Sequence, residues 1–474
     1  MKQYDLWIGG KKIATGQTQD VINKATGKPF ATISIAGEKE VTMAVDAAQA
    51  AFDTVTLAPY ARYEILMKTA TILMKRQRRF AEALCKECGK PIKDALGEVG
   101  RAYQTLMLSA EEAKRLTGEM VPIQGAPGCE QRLAYTIRQP LGVICAITPF
   151  NFPINLACHK IGPALAAGNT VVYKPASATP VTGAMLCEAF AEAGLPDGCL
   201  NLVMGSGSVV GNLLAKDQRI KMYSFTGSVP VGMALQKAAG FRRIALELGS
   251  NSANIVHNDI PDVKKVAQMC AKYAFTNAGQ VCISCQRVYV HQSIYDEFCQ
   301  AAVDFAKSLK IGDPADETTD IGPMIDEKEA IRIEDWVAEA VKAGATLLTG
   351  GKRTGSYFEP TILTNTQKDM KVICMETFAP VFSIVPYTDI EAAIAAVNQS
   401  RYGLQAGVFT GSIALASLCA EKIETGGVII NDGATFRMDN MPYGGVKESG
   451  IGKEGAAYAI KEMTEEKLVL FNFG

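Results

Sequence analysis

The chain runs to 474 residues, more than one hydrophobic core usually organises, so two or three domains are expected. Its 48 Lys and Arg nearly cancel its 49 Asp and Glu, and a net charge of −1 argues against nucleic acid or an anionic membrane as partner, leaving a small molecule. With 48% hydrophobic and 20% charged residues, the composition is that of a compact globular protein and excludes a disordered chain.

Thirteen cysteines, an odd number scattered along the chain, read as reduced thiols rather than a disulfide framework, which places the protein in the cytoplasm. The start lacks the apolar core of an export signal. The most apolar later window, Leu141 to Ala157, is interrupted by Thr148, Pro149, Asn151, Pro153 and Asn155, so no membrane span is expected. The three histidines, His159, His257 and His291, stand at no metal-ligand spacing; no metal site is expected, and a base is sought among carboxylates.

In chain order, Val41 to Leu116 is rich in Ala, Leu, Met, Lys and Glu and predicts several amphipathic helices. Glu130–Arg138 reads as an isolated strand. From Gln139 onward, short β-branched runs alternate with helical stretches, the pattern of parallel sheets covered by helices. A first series has strands at 141–149, 169–175, 199–205, 221–227 and 242–249, with helices near Pro153–Ala167, Pro180–Ala193, Ser208–Ala215 and Val229–Ala239. A second has strands at 253–257, 286–291, 381–387, 405–411 and 426–432, with helices near Asp262–Phe275, Ser293–Ser308, Glu327–Ala343, Glu391–Ser400 and Ser412–Ile423. The last segment, Glu466–Phe473, is again strand-like and suits pairing with Glu130–Arg138 or with a second copy of the chain. The expectation is an α/β protein of two doubly wound, Rossmann-like domains joined near residue 250, plus a small β element. Residues 1–118 and 140–246 would form the first domain, 247–457 the second, and 119–139 with 458–474 an oligomerisation element.

Three residues could carry chemistry. Cys282 follows Gly279 on a helix-to-strand loop, where a thiol is accessible as a nucleophile; the alternative is a small apolar filler. Glu247 ends a parallel strand, facing the crevice where such sheets hold ligands, as a general base or as a solvated strand-end residue. Asn151, before the helix opened by Pro153, offers an amide to a developing oxyanion or simply caps the turn. The Cys282/Cys285 and Cys85/Cys88 pairs lie almost 200 residues apart and do not read as a zinc or redox site. Gly205-Ser206-Gly207-Ser208-Val209-Val210-Gly211 is a weak dinucleotide fingerprint, with one residue too many between Gly207 and Gly211. Gly227 and Ser228, at a helix start with Pro230 in its first turn, suit a pyrophosphate, and Lys174 at a strand end can reach a ribose or phosphate.

Taken in order, TPFNFP at Asn151, YKPAS at Lys174, FTGSVPVG at Gly227 and Ser228, LELGS at Glu247 and GQVC at Cys282 resemble the aldehyde dehydrogenase superfamily over essentially the whole chain. Glu376-Thr377-Phe378-Ala379-Pro380 looks like the family's nicotinamide-ribose element, with Ala379 in place of its usual glycine. The resemblance implies that Cys282 attacks the aldehyde, Asn151 holds the oxyanion, and Glu247 activates the water that hydrolyses the thioester. It implies cofactor contacts at Thr148, Pro149, Phe150, Lys174, Ser177, Gly207, Gly211, Phe225, Gly227, Ser228, Leu248, Glu376 and Phe378. Where relatives that prefer NAD often carry Glu, this chain has neutral Ser177, which admits a 2′-phosphate, so NADP is expected and NAD permitted. The loop from Asn431 to Gly445 resembles that of members oxidising small acid- or hydroxy-bearing aldehydes: lactaldehyde, glyceraldehyde phosphate, phosphonoacetaldehyde, sulfolactaldehyde or succinate semialdehyde. Arg437, with Arg101 and His159, is the expected source of positive charge or donors for a polar, often anionic, tail; alternatively Arg437 pairs with Asp439 and His159 is a pocket wall. A homodimer or homotetramer is expected. Two readings compete: a cysteine hydrolase or acyltransferase without redox chemistry, and a non-catalytic nucleotide-binding protein.

Overall fold

The computed structural model describes all 474 residues. Strands Val143–Ile147, Thr170–Lys174, Leu200–Leu202, Ile220–Thr226 and Arg243–Glu247 form a parallel sheet. The uninterrupted burial of Thr170–Lys174 follows from helices on both sheet faces, which is why its sequence shows no polar alternation. Val143–Ile147 is central, flanked by Thr170–Lys174 on one side and Ile220–Thr226 on the other. Strand order therefore reverses between the first and fourth strands, and such a switch point opens a crevice at the carboxyl ends. Thr148 to Asn151 and Gly227–Ser228 emerge on either side of it.

The second sheet places Ala253–Val256 between Arg287–His291 and Gln405–Phe409, then extends through Val381–Tyr387, Thr361–Thr364 and Thr346–Thr349 on one side and Gly427–Ile430 on the other. All its pairs are parallel except the edge strand Thr346–Thr349. The chain passes from the carboxyl end of Arg243–Glu247 to the amino end of Ala253–Val256, so the two sheets present opposite ends to the space between them. Gly450–Ile451 then returns from the second sheet to pair antiparallel with Leu246 and Glu247.

The stretch from Val41 to Leu116 resolves into helices Glu38–Thr54, Pro59–Lys75, Gln77–Cys88 and Ile92–Ala113. In the last, Ala95, Val99, Ala102, Leu106, Ala110 and Ala113 recur three or four residues apart and are buried, giving one continuous apolar face. Burying Val99 and Leu106 contributes about 1.5–3 kcal/mol each. The same helix supplies Glu98, buried with Lys90, whose Oε1 accepts from the N–H groups of Ile154 (3.0 Å) and Asn155 (3.2 Å). It thereby caps helix Pro153–Ala166, the helix that Asn151 precedes.

The two isolated strand-like segments pair with each other, as Arg132–Pro140 against Thr464–Asn472 in nine-residue antiparallel register, with Met120–Val121 on the outer side. Several elements have no counterpart in the expected set. Lys2–Tyr4, Thr18–Ile22 and Pro29–Ser34 make a small sheet, and Leu6–Ile8 with Lys11–Ile13 extends the first large one beyond Leu200–Leu202. The helix expected at Ser208–Ala215 is a wide turn, Gly207–Gly211, followed by the short helix Asn212–Lys216. No helix is long and apolar enough to cross a membrane.

Candidate active site

Helix Val263–Phe275 is followed, after Thr276, by three consecutive left-handed residues, Asn277 (φ 52°), Ala278 (φ 53°) and Gly279 (φ 70°). Such a run is strained for Asn and Ala and turns the chain sharply toward Cys282. A Cβ on Gly279 would lie 2.0 Å from the Ala379 carbonyl oxygen, so glycine is required there sterically as well as conformationally. Asn277 braces the turn through its amide, which donates at 3.3 Å to the carbonyls of Asn151 and Gln280.

The turn brings the first sheet's Asn151 to the Cys282 loop. The Asn151 amide donates to the Gln280 carbonyl at 2.9 Å, and its Oδ1 accepts from the Phe152 N–H at 3.1 Å. These two bonds fix the amide's orientation and leave its second N–H uncommitted. The Cys282 backbone N–H also donates to no protein acceptor. Cys282 Sγ lies 3.0 Å from the Tyr443 hydroxyl. Burial pushes its thiol up to about 11, against the pull of the Tyr443 hydrogen bond and the Arg437 charge, while Glu376 and Glu247 add to the rise.

Glu247 is buried and its Oε2 has no hydrogen-bond partner. A buried orphan carboxylate oxygen is costly unless a proton, water or substrate meets it. Burial and the neighbouring Glu454 charge push the Glu247 carboxyl well above the usual carboxylate range, with Arg437, Lys160 and Lys453 opposing. Gly444 abuts this carboxylate, a Cβ there falling 3.0 Å from Glu247 Oε1, while adjacent Tyr443 touches Cys282. One dipeptide thus spans the thiol and the acid.

The charged residues fall into two groups. Arg437, buried, donates to Glu454 Oε2 at 2.9 Å, and Lys160 donates to Glu454 Oε1 at 2.8 Å. Burial would raise the Glu454 carboxyl, but Lys160 and Arg437 hold it well below its ordinary value. The expected alternative partner of Arg437, Asp439, is committed elsewhere: it accepts from Arg101 at 2.7 Å and from Asn155 at 3.3 Å, with His159 Nε2 at 2.9 Å. Sequence adjacency suggested the wrong acid because the 437–439 loop turns between them, while the return strand Gly450–Ile451 delivers Glu454 to Arg437. His159 is wholly buried against Asp439, and its basicity is lowered, first by burial and then by Arg437. Arg101 retains 33% side-chain exposure.

At the switch point, Lys174 is buried with one bond, to the Pro175 carbonyl at 3.2 Å, and no acid partner; burial lowers it to about 8. Ser177 donates to the Gly205 carbonyl at 3.0 Å. Thr148 Oγ1 lies 3.1 Å from the Tyr173 hydroxyl, and Phe150 meets Phe378 edge-on, ring centroids 5.7 Å apart. Pro149 continues the same turn after Val143–Ile147. A Cβ on Gly227 would sit 2.5 Å from the Phe225 ring, so a close approach is built into this turn. The Gly227 N–H is already given to the Glu247 carbonyl at 3.0 Å, leaving Ser228 and the first turn of helix Val229–Ala239 as the free donors. A Cβ on Gly207 or Gly211 would meet nothing within 4 Å, so open space surrounds both. Leu248 packs over Gly232, and Glu376 Oε1 accepts from the Ser250 N–H at 3.0 Å, its carboxyl raised by burial to about 7. An unpaired buried lysine, an uncharged neighbour and a helix start fit a dinucleotide phosphate chemically.

Lys160, Tyr443 and Glu454 were not singled out by sequence. Only the need of a buried Arg437 for a partner hinted at an acid, and nothing in spacing identified which one.

Residues 12–469 match the model of the aldehyde dehydrogenase family. The chain is 51% identical to the 3-sulfolactaldehyde dehydrogenase of Priestia aryabhattai, covering 100% of this chain and 98% of that protein. Among solved structures, aldehyde dehydrogenase 21 of Physcomitrella patens, in complex with the reaction product succinate, superposes with a TM-score of 0.97 at 38% identity, covering 99% of this chain and 98% of that one. The glyceraldehyde-3-phosphate dehydrogenase of Methanocaldococcus jannaschii, complexed with NADP, superposes at 0.93 with 40% identity, covering 97% and 100%. With the family model matched over residues 12–469 and a relative 51% identical over the full chain, this chain belongs to the aldehyde dehydrogenase family.

Proposed function

We propose that the protein oxidises a small polar aldehyde bearing an anionic tail to its carboxylic acid, with NADP, and secondarily NAD, as acceptor. The observation that carries this reading is the meeting of a thiol, an orphan carboxylate oxygen and two uncommitted N–H donors at the junction of the two sheets.

In this reading Cys282, as thiolate, bonds to the aldehyde carbon, and the oxygen gains the negative charge. That oxyanion is met by the second N–H of Asn151 and by the Cys282 N–H, a pair that needs no reorganisation because Gln280 and Phe152 already fix the amide. When bound, a nicotinamide would supply the hydride acceptor for this carbon, and Cys282 would be left carrying the acyl group as a thioester. Lys174, Ser177, Ser228 and Glu376 would hold the cofactor, with Thr148, Pro149, Phe150, Phe225, Gly227, Leu248 and Phe378 shaping the crevice. Glu247 in its carboxylate form takes a proton from water, the resulting hydroxide adds to the thioester, and the carboxylic acid leaves as the sulfur regains its electron pair. Its burial excludes bulk water and keeps its basicity high.

For the substrate tail, Arg101 is the exposed guanidinium and Arg437 the buried one, both at the loop that also holds Tyr443. His159 acts through Asp439, orienting Arg101 rather than touching substrate. Relatives named for sulfolactaldehyde, with a sulfonate, and glyceraldehyde-3-phosphate, with a phosphate, support an anionic tail. A panel of sulfonate-, phosphate- and carboxylate-bearing aldehydes against neutral ones tests this: Arg101→Ala should lower kcat/KM for the charged members about tenfold or more and spare the neutral ones. Equal losses for both would overturn the tail assignment.

We further read the three-stranded sheet of Met120–Val121, Arg132–Pro140 and Thr464–Asn472 as the oligomerising element of a homodimer or homotetramer, since it exposes Leu468, Leu470 and Phe471, with exposed Phe473 just beyond its end. Thirteen free thiols support work in the reducing cytoplasm.

A further inference from the structure

Tyr443 belongs to no role assigned so far, yet its hydroxyl is the group nearest in hydrogen-bonding terms to the sulfur of Cys282, at 3.0 Å. The side chain is buried in an apolar cluster with Val281, Ile283 and Leu404, against which Phe152 and Cys282 pack. Its backbone is fixed by a reciprocal pair of bonds with Glu454, at 3.1 and 2.6 Å. Over its ring, 3.6 Å from the centroid, lies the guanidinium of Arg437, which Glu454 holds in turn. The packing and the paired backbone bonds hold the phenol against the thiol, and a cation rests on its π-face.

We propose that Tyr443 poises Cys282 for attack, donating its hydroxyl hydrogen to the sulfur so that the thiolate forms more readily than burial alone would allow, with Arg437 polarising the donor. This rests on the reading of Cys282 as nucleophile. A thiolate taken out of water needs a donor or a cation, and here both arrive through one side chain. Tyr443 touches the sulfur, and the charges of Arg437, Glu376 and Glu247 act on it. The two carboxyls disfavour the thiolate, so the stabilisation falls to Tyr443 and Arg437. Once the thiol ionises the sulfur can only accept, and burial and the adjacent Cys282 push the Tyr443 hydroxyl well above its ordinary value, so the proton stays on the phenol oxygen. The thiol proton leaves to solvent, the phenolic proton is shared without transfer, and no bond to Tyr443 is made or broken.

The test uses the full chain without aldehyde or cofactor. Cys282 is alkylated with iodoacetamide across a range of pH, and modification of the peptide carrying it is followed by mass spectrometry. Tyr443→Phe removes the hydroxyl and keeps the ring under Arg437. The midpoint of Cys282 alkylation is expected to rise by about one pH unit or more, which is about tenfold slower modification at a fixed pH below it. An unchanged midpoint overturns the proposal. Should the variant not fold, 3-fluorotyrosine incorporated into the unmutated chain makes the phenol a stronger donor; the midpoint should then fall, and an unmoved one is equally fatal. Aldehyde-dependent reduction of NADP or NAD is measured alongside. A shifted midpoint in a protein that oxidises no aldehyde sustains Tyr443 and removes the dehydrogenase reading; an unshifted midpoint in an active dehydrogenase does the reverse.

Discussion

At the residue scale, the arrangement makes separable demands on Asn151, Glu247 and Lys174. Removing the Asn151 amide deletes an oriented donor in a site shielded from water, so Asn151→Ala should lower kcat by about 10²–10³ with little change in KM; a pure KM effect would mean the amide serves binding. Glu247 holds its proton above the usual carboxylate range, so the basic form grows as pH rises through that raised value, and thioester hydrolysis should accelerate in the same direction. Glu247→Gln should flatten this pH dependence and let acylated Cys282 accumulate, visible as a mass increase by the substrate's acyl group after one turnover. Lys174 titrates near 8 in the cofactor-free protein, so raising the pH through that value removes its positive charge. Calorimetric titration should find NADP binding weaker above it than below it. Ser177→Glu should turn preference toward NAD by about tenfold or more, because its carboxylate repels a 2′-phosphate; unchanged discrimination would place the phosphate elsewhere. The residues proposed to react stood out in the sequence because they sit on a strand end or loop, two of them with a distinctive neighbour: Gly279 before Cys282, Pro153 after Asn151. Glu454, Lys160 and Tyr443 were not, since their roles come from contacts between segments far apart in the chain, and no local spacing encodes them.

At the element scale, the left-handed turn Asn277-Ala278-Gly279 is the device that delivers Cys282 to Asn151. Gly279→Ala adds both a positive-φ cost and a collision with the Ala379 carbonyl. The expected outcome is a lower Tm, and a kcat loss of about tenfold or more because small misplacements at a reacting centre are expensive. A variant with wild-type Tm and kcat would show that the turn relaxes freely. The sequence placed a loop here but not its handedness, because nothing in Asn-Ala favours two successive residues in that region; packing on Ala379 imposes it. The long α/β alternation was read well, since buried parallel strands are continuous apolar runs between periodic helices. Lys2–Tyr4, Leu6–Ile8 and Gly450–Ile451 escaped because two or three residues carry no period, and pairing with a distant strand is what makes them strands.

At the scale of the whole molecule, the first sheet offers the carboxyl ends of its strands and the second the amino ends, and the return strand Gly450–Ile451 stitches Glu247 to the loop bearing Tyr443 and Arg437. Near-neutral net charge conceals this concentration of Arg101, Arg437 and Lys160 against Asp439 and Glu454, three cations to two carboxylates. The paired strands Arg132–Pro140 and Thr464–Asn472 leave an apolar face on the outside. Placing Asp at Leu468 and Leu470 together should reduce the particle to a monomer by light scattering if that face joins copies of the chain. The central claim, that Cys282 drives aldehyde oxidation at this junction, is most directly tested by absorbance at 340 nm on mixing the protein with NADP or NAD and short anion-bearing aldehydes. The account predicts aldehyde-dependent reduction of the cofactor, abolished in Cys282→Ala; ester cleavage without reduction, or reduction that survives loss of the thiol, would contradict it.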